Sequence, residues 1–128
     1  MKKTVLFICT HNSARSIMAE AILRHLYPKH YEVYSCGTQP SGIKENTKKV
    51  LSEIGIDTSQ LYSKHLDEFK NKKFDYVITV CDSAKENCPF FPGGKQYIHK
   101  GFKDPETLED FREVRDEIYA WIEEFFKV

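Results

Sequence analysis

The sequence predicts an α/β fold: a three-layer sandwich in which a four-stranded parallel sheet is flanked by helices on both faces. Two apolar runs rich in β-branched residues, at positions 4–9 and 75–81, have the composition of strands buried on both sides. Segments with apolar residues at helical spacing alternate with the strand-like segments, which favours parallel strands joined by right-handed crossovers. The chain of 128 residues suits one hydrophobic core, so we expect a single domain over residues 1–128.

The first half of the chain is expected to form two strands and two helices in alternation. After the strand at residues 4–9, a helix is predicted from about Ser16, and Pro28 follows its end. Residues 31–35 alternate in polarity, which is typical of a second strand. A second helix is expected to stop at Gly55, and its inward face is predicted to consist of Ile43, Thr47, Val50, Leu51 and Ile54.

The second half is expected to supply two more strands and the last helix. Residues 75–81 repeat the composition of the first strand, and residues 96–99 are typical of a short fourth one. Residues 107–126 have helical periodicity with one broad apolar face, which we interpret as core packing rather than a partner-binding surface. The side chains on that face are Phe111, Val114, Ile118, Trp121, Ile122 and Phe125.

Composition excludes several classes of function. The formal net charge is +0, which gives no reason to expect nucleic acid or an anionic membrane as partner. No apolar stretch approaches the ~18 residues of a membrane span. Lys2 and Lys3 precede an apolar run as in a signal peptide, but polar residues at 10–12 end that run too early. We therefore expect a cytoplasmic protein, and a small neutral domain of this kind is expected to be a monomer.

The strongest chemical signal is the pair Cys9 and Arg15, with five residues between them, at the junction of the first strand and the first helix. In such a turn the backbone N–H groups converge, and the helix N-terminus and a guanidinium add positive charge suited to a tetrahedral oxyanion. The same field favours the thiolate form of the cysteine. We predict that the residues binding the oxyanion are Thr10, His11, Asn12, Ser13, Ala14, Arg15 and Ser16.

A structural interpretation of the same residues competes with this one. Cys9 could be a small buried apolar residue and Arg15 a solvated residue of the first helical turn, although a cation there opposes the helix dipole unless an anion compensates. Asn12 suits a turn position with positive φ. Ser13 and Ser16 could donate hydrogen bonds to the loop, the thiolate or the oxyanion, or either could be only an N-cap.

A third segment should meet this loop. In parallel sheets, ligands bind beyond the C-terminal ends of the strands, where Cys9, Cys81 and Asp104 are all expected to lie. Facing the oxyanion, Asp104 could protonate a leaving oxygen. It could equally be an N-cap of the last helix, or a turn residue before Pro105.

Cys81 and Cys88 distinguish the candidate reactions. Seven residues of α-helix span ~10.5 Å, whereas a disulfide needs Cα atoms within about 7 Å, so these two cysteines can bond only if the segment leaves the helix. Weak helix formers between them make a shuttling disulfide feasible. The alternatives are inert buried thiols or a zinc site with His99, although no CxxC spacing is present. Cys36 is expected to pack at the end of the second strand and is given no role.

At these residues the chain resembles the thioredoxin-coupled arsenate reductases, which share the fold of the low-molecular-weight protein tyrosine phosphatases. The resemblance covers nearly the whole chain. The Cys-x5-Arg loop is common to both families, whereas the two later cysteines at this spacing belong to the reductases. The matching motifs are Cys9-Thr10-x-Asn12-Ser13-x-Arg15-Ser16, Met18-Ala19-Glu20, Tyr34-Ser35-x-Gly37, Val80-Cys81, Asn87-Cys88-Pro89 and Gly101-Phe102-x-Asp104-Pro105.

The resemblance implies a relay of three cysteines. The thiolate of Cys9 would attack arsenate held by the loop and Arg15, while Asp104 protonates the departing oxygen. Cys81 would then attack Cys9 and release arsenite, and Cys88 would attack Cys81. Thioredoxin would reduce the final Cys81–Cys88 disulfide, and phosphate or sulfate would mimic the substrate in the loop.

The resemblance also bears on cofactors, of which we expect none tightly bound and no metal in catalysis. Many members of the family bind potassium beside the loop through residues that match Asn12, Glu20 and Ser35. A further carboxylate ligand is expected at the position of Lys64, where an ammonium group would repel or replace the ion. We therefore expect weak or absent potassium dependence.

Two other functions remain open at this point. A tyrosine phosphatase would use only Cys9, Arg15 and Asp104 and pass through a cysteinyl-phosphate. That family normally has tyrosine after the Asp-Pro pair, where this chain has Glu106, and it has no need of the two later cysteines. A non-catalytic anion- or redox-sensing module would keep Cys9 but need neither an acid nor a relay.

Overall fold

The structure, a computed structural model, describes residues 2–82 and 90–127. Within these ranges it has four strands, all parallel, in the order β2-β1-β3-β4. The strands are β1 (Lys3–Cys9), β2 (Tyr31–Gly37), β3 (Phe74–Thr79) and β4 (Gly94–His99). The helices are α1 (Arg15–Leu26), α2 (Glu45–Glu53) and α3 (Leu108–Phe125), with a 3-10 helix at Leu66–Phe69. The predicted fold class is confirmed.

The central strand β1 is buried on both faces because successive side chains point into two different cores. Val5 and Phe7 lie in the larger core, together with the apolar faces of α1, α2 and α3. Leu6 and Ile8 lie in the smaller core on the other face, which the 3-10 helix covers through Phe69. The continuous apolar run that predicted this strand is thus explained by packing on both faces of the sheet. In the described residues, the three α-helices cover one face and the 3-10 helix lies on the other.

The last helix begins differently from one of the sequence interpretations. The hydroxyl of Thr107 accepts a hydrogen bond from the backbone N–H of Asp110, and the Asp110 carboxylate accepts one from the N–H of Thr107. This capping box closes the first turn of α3. The interpretation of Asp104 as the N-cap is therefore wrong, and Asp104 lies in the preceding loop, free of a role in starting the helix.

Other element boundaries follow local chemistry. Gly55 ends the second helix as predicted, with a φ of 81° that residues other than glycine rarely adopt. Strand β3 ends at Thr79 rather than at Cys81, so Cys81 lies just beyond the strand. In the part of the chain that the structure describes, no helix is both long and apolar enough to cross a membrane.

A charged contact fastens α2 to α3 at the rim of the larger core. The carboxylate of Glu53 accepts hydrogen bonds from Arg112 at 2.7 Å and from Arg115 at 2.8 Å. The hydrogen bond from Arg112 has the largest effect. Together with the bond from Arg115 it lowers the pKa of Glu53 from 4.5 to about 2, although desolvation raises it. The ionised carboxylate is therefore the form that the folded protein favours.

This contact predicts a pH-dependent part of the stability. Because the folded-state pKa of Glu53 is depressed, the stabilisation is complete above about pH 4.5 and is lost as the pH falls towards 2. The variant Glu53→Gln should have a lower melting temperature than the wild type at pH 7, and the difference should shrink in that acid range. Thermal unfolding followed by circular dichroism checks this, and a difference that stayed constant with pH would contradict it.

Candidate active site

The loop between β1 and α1 is held by the side chain of Asn12, which is completely buried. Asn12 has a φ of 47°, the positive value that the sequence predicted for it. Its Nδ2 donates to the hydroxyl oxygens of Ser16 at 2.7 Å and Ser35 at 3.0 Å, and its Oδ1 accepts from the backbone N–H of Lys64 at 2.7 Å. Three hydrogen bonds of one side chain thus tie the loop to α1, to β2 and to the segment before the 3-10 helix.

The positive end of α1 lies against this loop. The helix begins at Arg15, Ala14 occupies the N-cap position, and within the described part of the chain no side chain caps this end. Its first turn contains no acidic residue. The N-cap interpretation of Ser13 and Ser16 is therefore wrong. The positive end of the helix dipole therefore faces the loop, and a helix end of this kind favours an anion.

Cys9, at the end of β1, is buried and is a free thiol. Its Sγ lies 2.8 Å from the Oγ of Ser16. Because Ser16 Oγ already accepts a hydrogen bond from Asn12, its own hydrogen is available to the sulfur. Ser16 therefore contacts the sulfur of Cys9 and does not cap the helix terminus.

Arg15 and Asp104 meet at the same loop. The Arg15 guanidinium is buried, and its Nη1 donates to the carbonyl oxygen of Phe102 at 3.2 Å. Its Nη2 lies 3.7 Å from Oδ1 of Asp104, whose side chain is 55% exposed. The loop that follows β4 therefore brings a carboxyl group to the loop between β1 and α1 (residues 10–14, here named the oxyanion loop), as the sheet-edge argument predicted.

Gly37, at the end of β2, fixes how closely β2 approaches the loop. A Cβ at this position would lie 2.5 Å from the carbonyl oxygen of Thr10 and 2.9 Å from that of Cys9. Both are backbone atoms that have little room to move. Sequence reasoning placed Gly37 in a motif but gave it no role, because this contact depends on the tertiary structure.

A buried charged cluster lies directly behind the loop. The carboxylate of Glu20 accepts a hydrogen bond from Ser35 and lies 3.5 Å from the Nζ of Lys64. The same Nζ donates to the carbonyl oxygen of Tyr62 at 2.6 Å. Both charged side chains are at least 94% buried. The residues that the resemblance connected with potassium thus come together in the structure, and the ammonium group of Lys64 lies among them.

The remaining cysteines differ in environment. Cys81 is fully buried in the same core cluster as Cys9, and it is disulfide-bonded. Cys36 lies in the smaller core on the opposite face. Burial raises the pKa of its thiol to about 12, and the proximity of Cys9 makes a smaller contribution in the same direction. That environment agrees with the absence of a predicted role. The prediction for Cys88 falls on residues outside those that the structure describes.

No group of three or more His, Cys, Asp or Glu side chains within residues 2–82 and 90–127 is arranged to hold a metal ion. His99, the partner considered for a zinc site, instead lies with its Nδ1 2.7 Å from Thr79 Oγ1. The chemical groups gathered at the loop are a thiol, a guanidinium, a carboxyl and the positive end of a helix. Such a set can bind a tetrahedral oxyanion, attack it through sulfur and protonate a leaving group.

Comparison with known proteins agrees with this geometry. The sequence matches the low molecular weight phosphotyrosine protein phosphatase family over residues 4–128. The chain belongs to that family. An arsenate reductase of Halalkalibacterium halodurans is 39% identical over 132 residues, covering 97% of this chain and 95% of that protein.

Solved structures give the same result. The structure of an arsenate reductase in its phosphate-binding state superposes with a TM-score of 0.85 at 31% identity, over 97% of this chain and 95% of that one. A thioredoxin-dependent arsenate reductase of Corynebacterium glutamicum has a TM-score of 0.80 at 34% identity, over 98% of this chain and 61% of that one. The resemblance to arsenate reductases inferred from the sequence motifs is confirmed.

The close approach of Gly37 predicts that Gly37→Ala disturbs the site as well as the fold. Its methyl group would overlap the Thr10 and Cys9 carbonyls, which should destabilise the protein by about 1–3 kcal/mol. The displaced loop should also bind phosphate more weakly, measured as the protection of Cys9 against alkylation by iodoacetamide. As a control, Gly55→Ala introduces backbone strain at the end of α2 with no atom within 4 Å, and should leave phosphate protection unchanged. Unaltered protection in Gly37→Ala would contradict the prediction.

Proposed function

We propose that this protein is a thioredoxin-dependent arsenate reductase. The observation that carries the proposal is the burial of Cys9 and Cys81 in one cluster beside an oxyanion loop. A phosphatase would need the first of these cysteines but not the second. Relatives named as arsenate reductases match the chain over nearly its full length, which supports the same conclusion.

In the first step, arsenate lies in the loop with its oxygens facing the backbone N–H groups and the guanidinium of Arg15. The Cys9 thiolate attacks arsenic, a sulfur–arsenic bond forms and an arsenic–oxygen bond breaks. Asp104 supplies the proton that lets the departing oxygen leave as water. Its place beside Arg15, 3.7 Å from the guanidinium, supports this role.

In the second step, the Cys81 thiolate attacks the sulfur of Cys9. A sulfur–sulfur bond forms, and the electron pair of the breaking sulfur–arsenic bond stays on arsenic, which is reduced from As(V) to As(III) and leaves as arsenite. The Cys88 thiolate then attacks Cys81, which frees Cys9 and leaves a Cys81–Cys88 disulfide. Two electrons from the thiols thus balance the reduction of one arsenate.

A dithiol protein of the thioredoxin class would reduce that disulfide and complete the cycle. The name of the Corynebacterium glutamicum structure, which states thioredoxin dependence, supports this choice of reductant. Thiols that must be reduced in every cycle suit a reducing compartment, so we assign the protein to the cytoplasm, as a monomer. We propose no tightly bound cofactor.

Cysteine variants test the relay. With arsenate, thioredoxin, thioredoxin reductase and NADPH, Cys88→Ser should lower steady-state arsenite production by roughly 10³-fold or more, since the final disulfide cannot form. Cys36→Ala is the matched control and should retain the wild-type rate, because Cys36 lies on the other face of the sheet with its thiol protonated. Sustained turnover in Cys88→Ser would remove the relay from the mechanism.

The phosphatase reaction remains a second activity of the same site, favoured by the contact between Arg15 and Asp104. We expect slow hydrolysis of p-nitrophenyl phosphate through a cysteinyl-phosphate. Asp104→Asn should reduce this rate by about 10²- to 10⁴-fold, because the leaving oxygen then lacks its acid. Cys88→Ser should leave it unchanged, since no disulfide is involved. A rate that fell equally in both variants would show that Asp104 has no separate role as the acid.

A further inference from the structure

We propose that Lys64 is a positioning residue whose ammonium group serves as a built-in monovalent cation for the oxyanion loop, in place of a potassium ion. The proposal concerns how the loop is held, and it does not depend on which oxyanion is the physiological substrate. It rests on the buried contacts of Lys64 with Glu20, Tyr62 and Asn12.

The residues present do not fit a potassium ion. Oε1 of Glu20 already faces the Nζ of Lys64 and accepts a hydrogen bond from Ser35. The carbonyl oxygen of Tyr62 accepts from the same Nζ, and Asn12 directs its own oxygen to a backbone N–H. A second cation would have to share these oxygens with an ammonium group that is already there, and like charges at such short range repel.

Lys64 reaches the loop by two routes that converge on Asn12. Its backbone N–H donates to Asn12 Oδ1 at 2.7 Å. Its ammonium group contacts Glu20, which accepts from the Ser35 hydroxyl, and that hydroxyl accepts from Asn12 Nδ2 at 3.0 Å. Asn12 Nδ2 also donates to the serine hydroxyl that contacts the Cys9 sulfur. A continuous series of buried polar contacts therefore connects the charge of Lys64 to the nucleophile.

The ammonium group also balances charge below the loop. Glu20 faces two cations, Lys64 at Oε1 and Arg24 at Oε2, so the three side chains sum to one positive charge. Lys64 is 4% exposed, and the ring of Tyr62, with its centroid 4.2 Å from Nζ, packs against it. Arg24 is 45% exposed and pairs with the carboxylate oxygen farther from the serine. Solvent therefore screens Arg24 far more than Lys64.

The wild-type protein gives the first test, which needs no variant. The rate of Cys9 alkylation by iodoacetamide, its protection by phosphate, and arsenate turnover are measured in potassium chloride and in sodium chloride at equal ionic strength. We expect all three to be the same in both salts. Stimulation by potassium of threefold or more in any of them would overturn the proposal.

Variants separate the charge from the packing. Lys64→Met keeps most of the side-chain volume but removes the charge, and should weaken phosphate protection of Cys9 by about tenfold. The matched control, Arg24→Met, removes the other cation of Glu20 and should change it by less than twofold. Equal effects of the two variants, or none from Lys64→Met, would overturn the proposal.

Restoring the lost charge with an added cation distinguishes the proposed role of Lys64 from a purely structural one. Lys64→Ala leaves space beside Glu20 Oε1 and the Tyr62 carbonyl for a small cation. Added methylammonium or potassium should restore phosphate protection in this variant, whereas sucrose, a stabiliser without charge, should not. Restoration by sucrose alone would overturn the proposal. If both Lys64 variants failed to fold, the comparison of the two salts on the wild-type protein would decide it. Alkylation and phosphate protection need no turnover, so loss of the reductase assignment alone would leave these results intact.

Discussion

The hydrogen bonds made by the Asn12 side chain are the constraint on which the site depends. The loop turns at Asn12, where the backbone has a positive φ. Glycine could adopt that φ, but it has no side chain to hydrogen-bond the neighbouring segments. Asparagine tolerates this φ, and its side-chain amide also makes three hydrogen bonds, to Ser16, to Ser35 and to the backbone of Lys64.

The strand order then assembles the chemistry. Because β1 and β3 are adjacent, the last residue of β1, Cys9, and a residue just beyond β3, Cys81, lie in the same core cluster. Strand β4 on the far side of β3 delivers the loop that carries Asp104 to the guanidinium of Arg15. Three segments separated by tens of residues in sequence therefore meet because parallel strands end at one edge of the sheet.

Local sequence signals predicted a large part of this arrangement. The continuous apolar runs identified β1 and β3 because both strands are buried on two faces, and the loop was recognisable because a cysteine, a left-handed asparagine and an arginine lie within seven residues of one another. The start of α3 was less clear. Asp104 and Thr107 are both good N-cap residues, and only the reciprocal bond with Asp110 decides between them.

Contacts between distant parts of the chain were beyond the reach of these signals. Nothing in the residues around Gly37 shows that backbone carbonyls of the oxyanion loop will lie against its Cα. The pairing of Lys64 with Glu20 spans 44 residues and depends on the bridge between Gly37 and His65, which holds the segment of Lys64 beside the end of β2. The sequence raised the question of a cation at this position, and the tertiary structure supplied the distances needed to address it.

The unequal exposure of Arg15 and Asp104 has a consequence for proton supply. In the proposed reaction the carboxyl group gives up one proton in each cycle, and more than half of its side chain is in contact with bulk water. Water can therefore return that proton directly, with no internal chain of donors. Cys9 and Arg15 can therefore stay buried while Asp104 takes up its proton from the solvent.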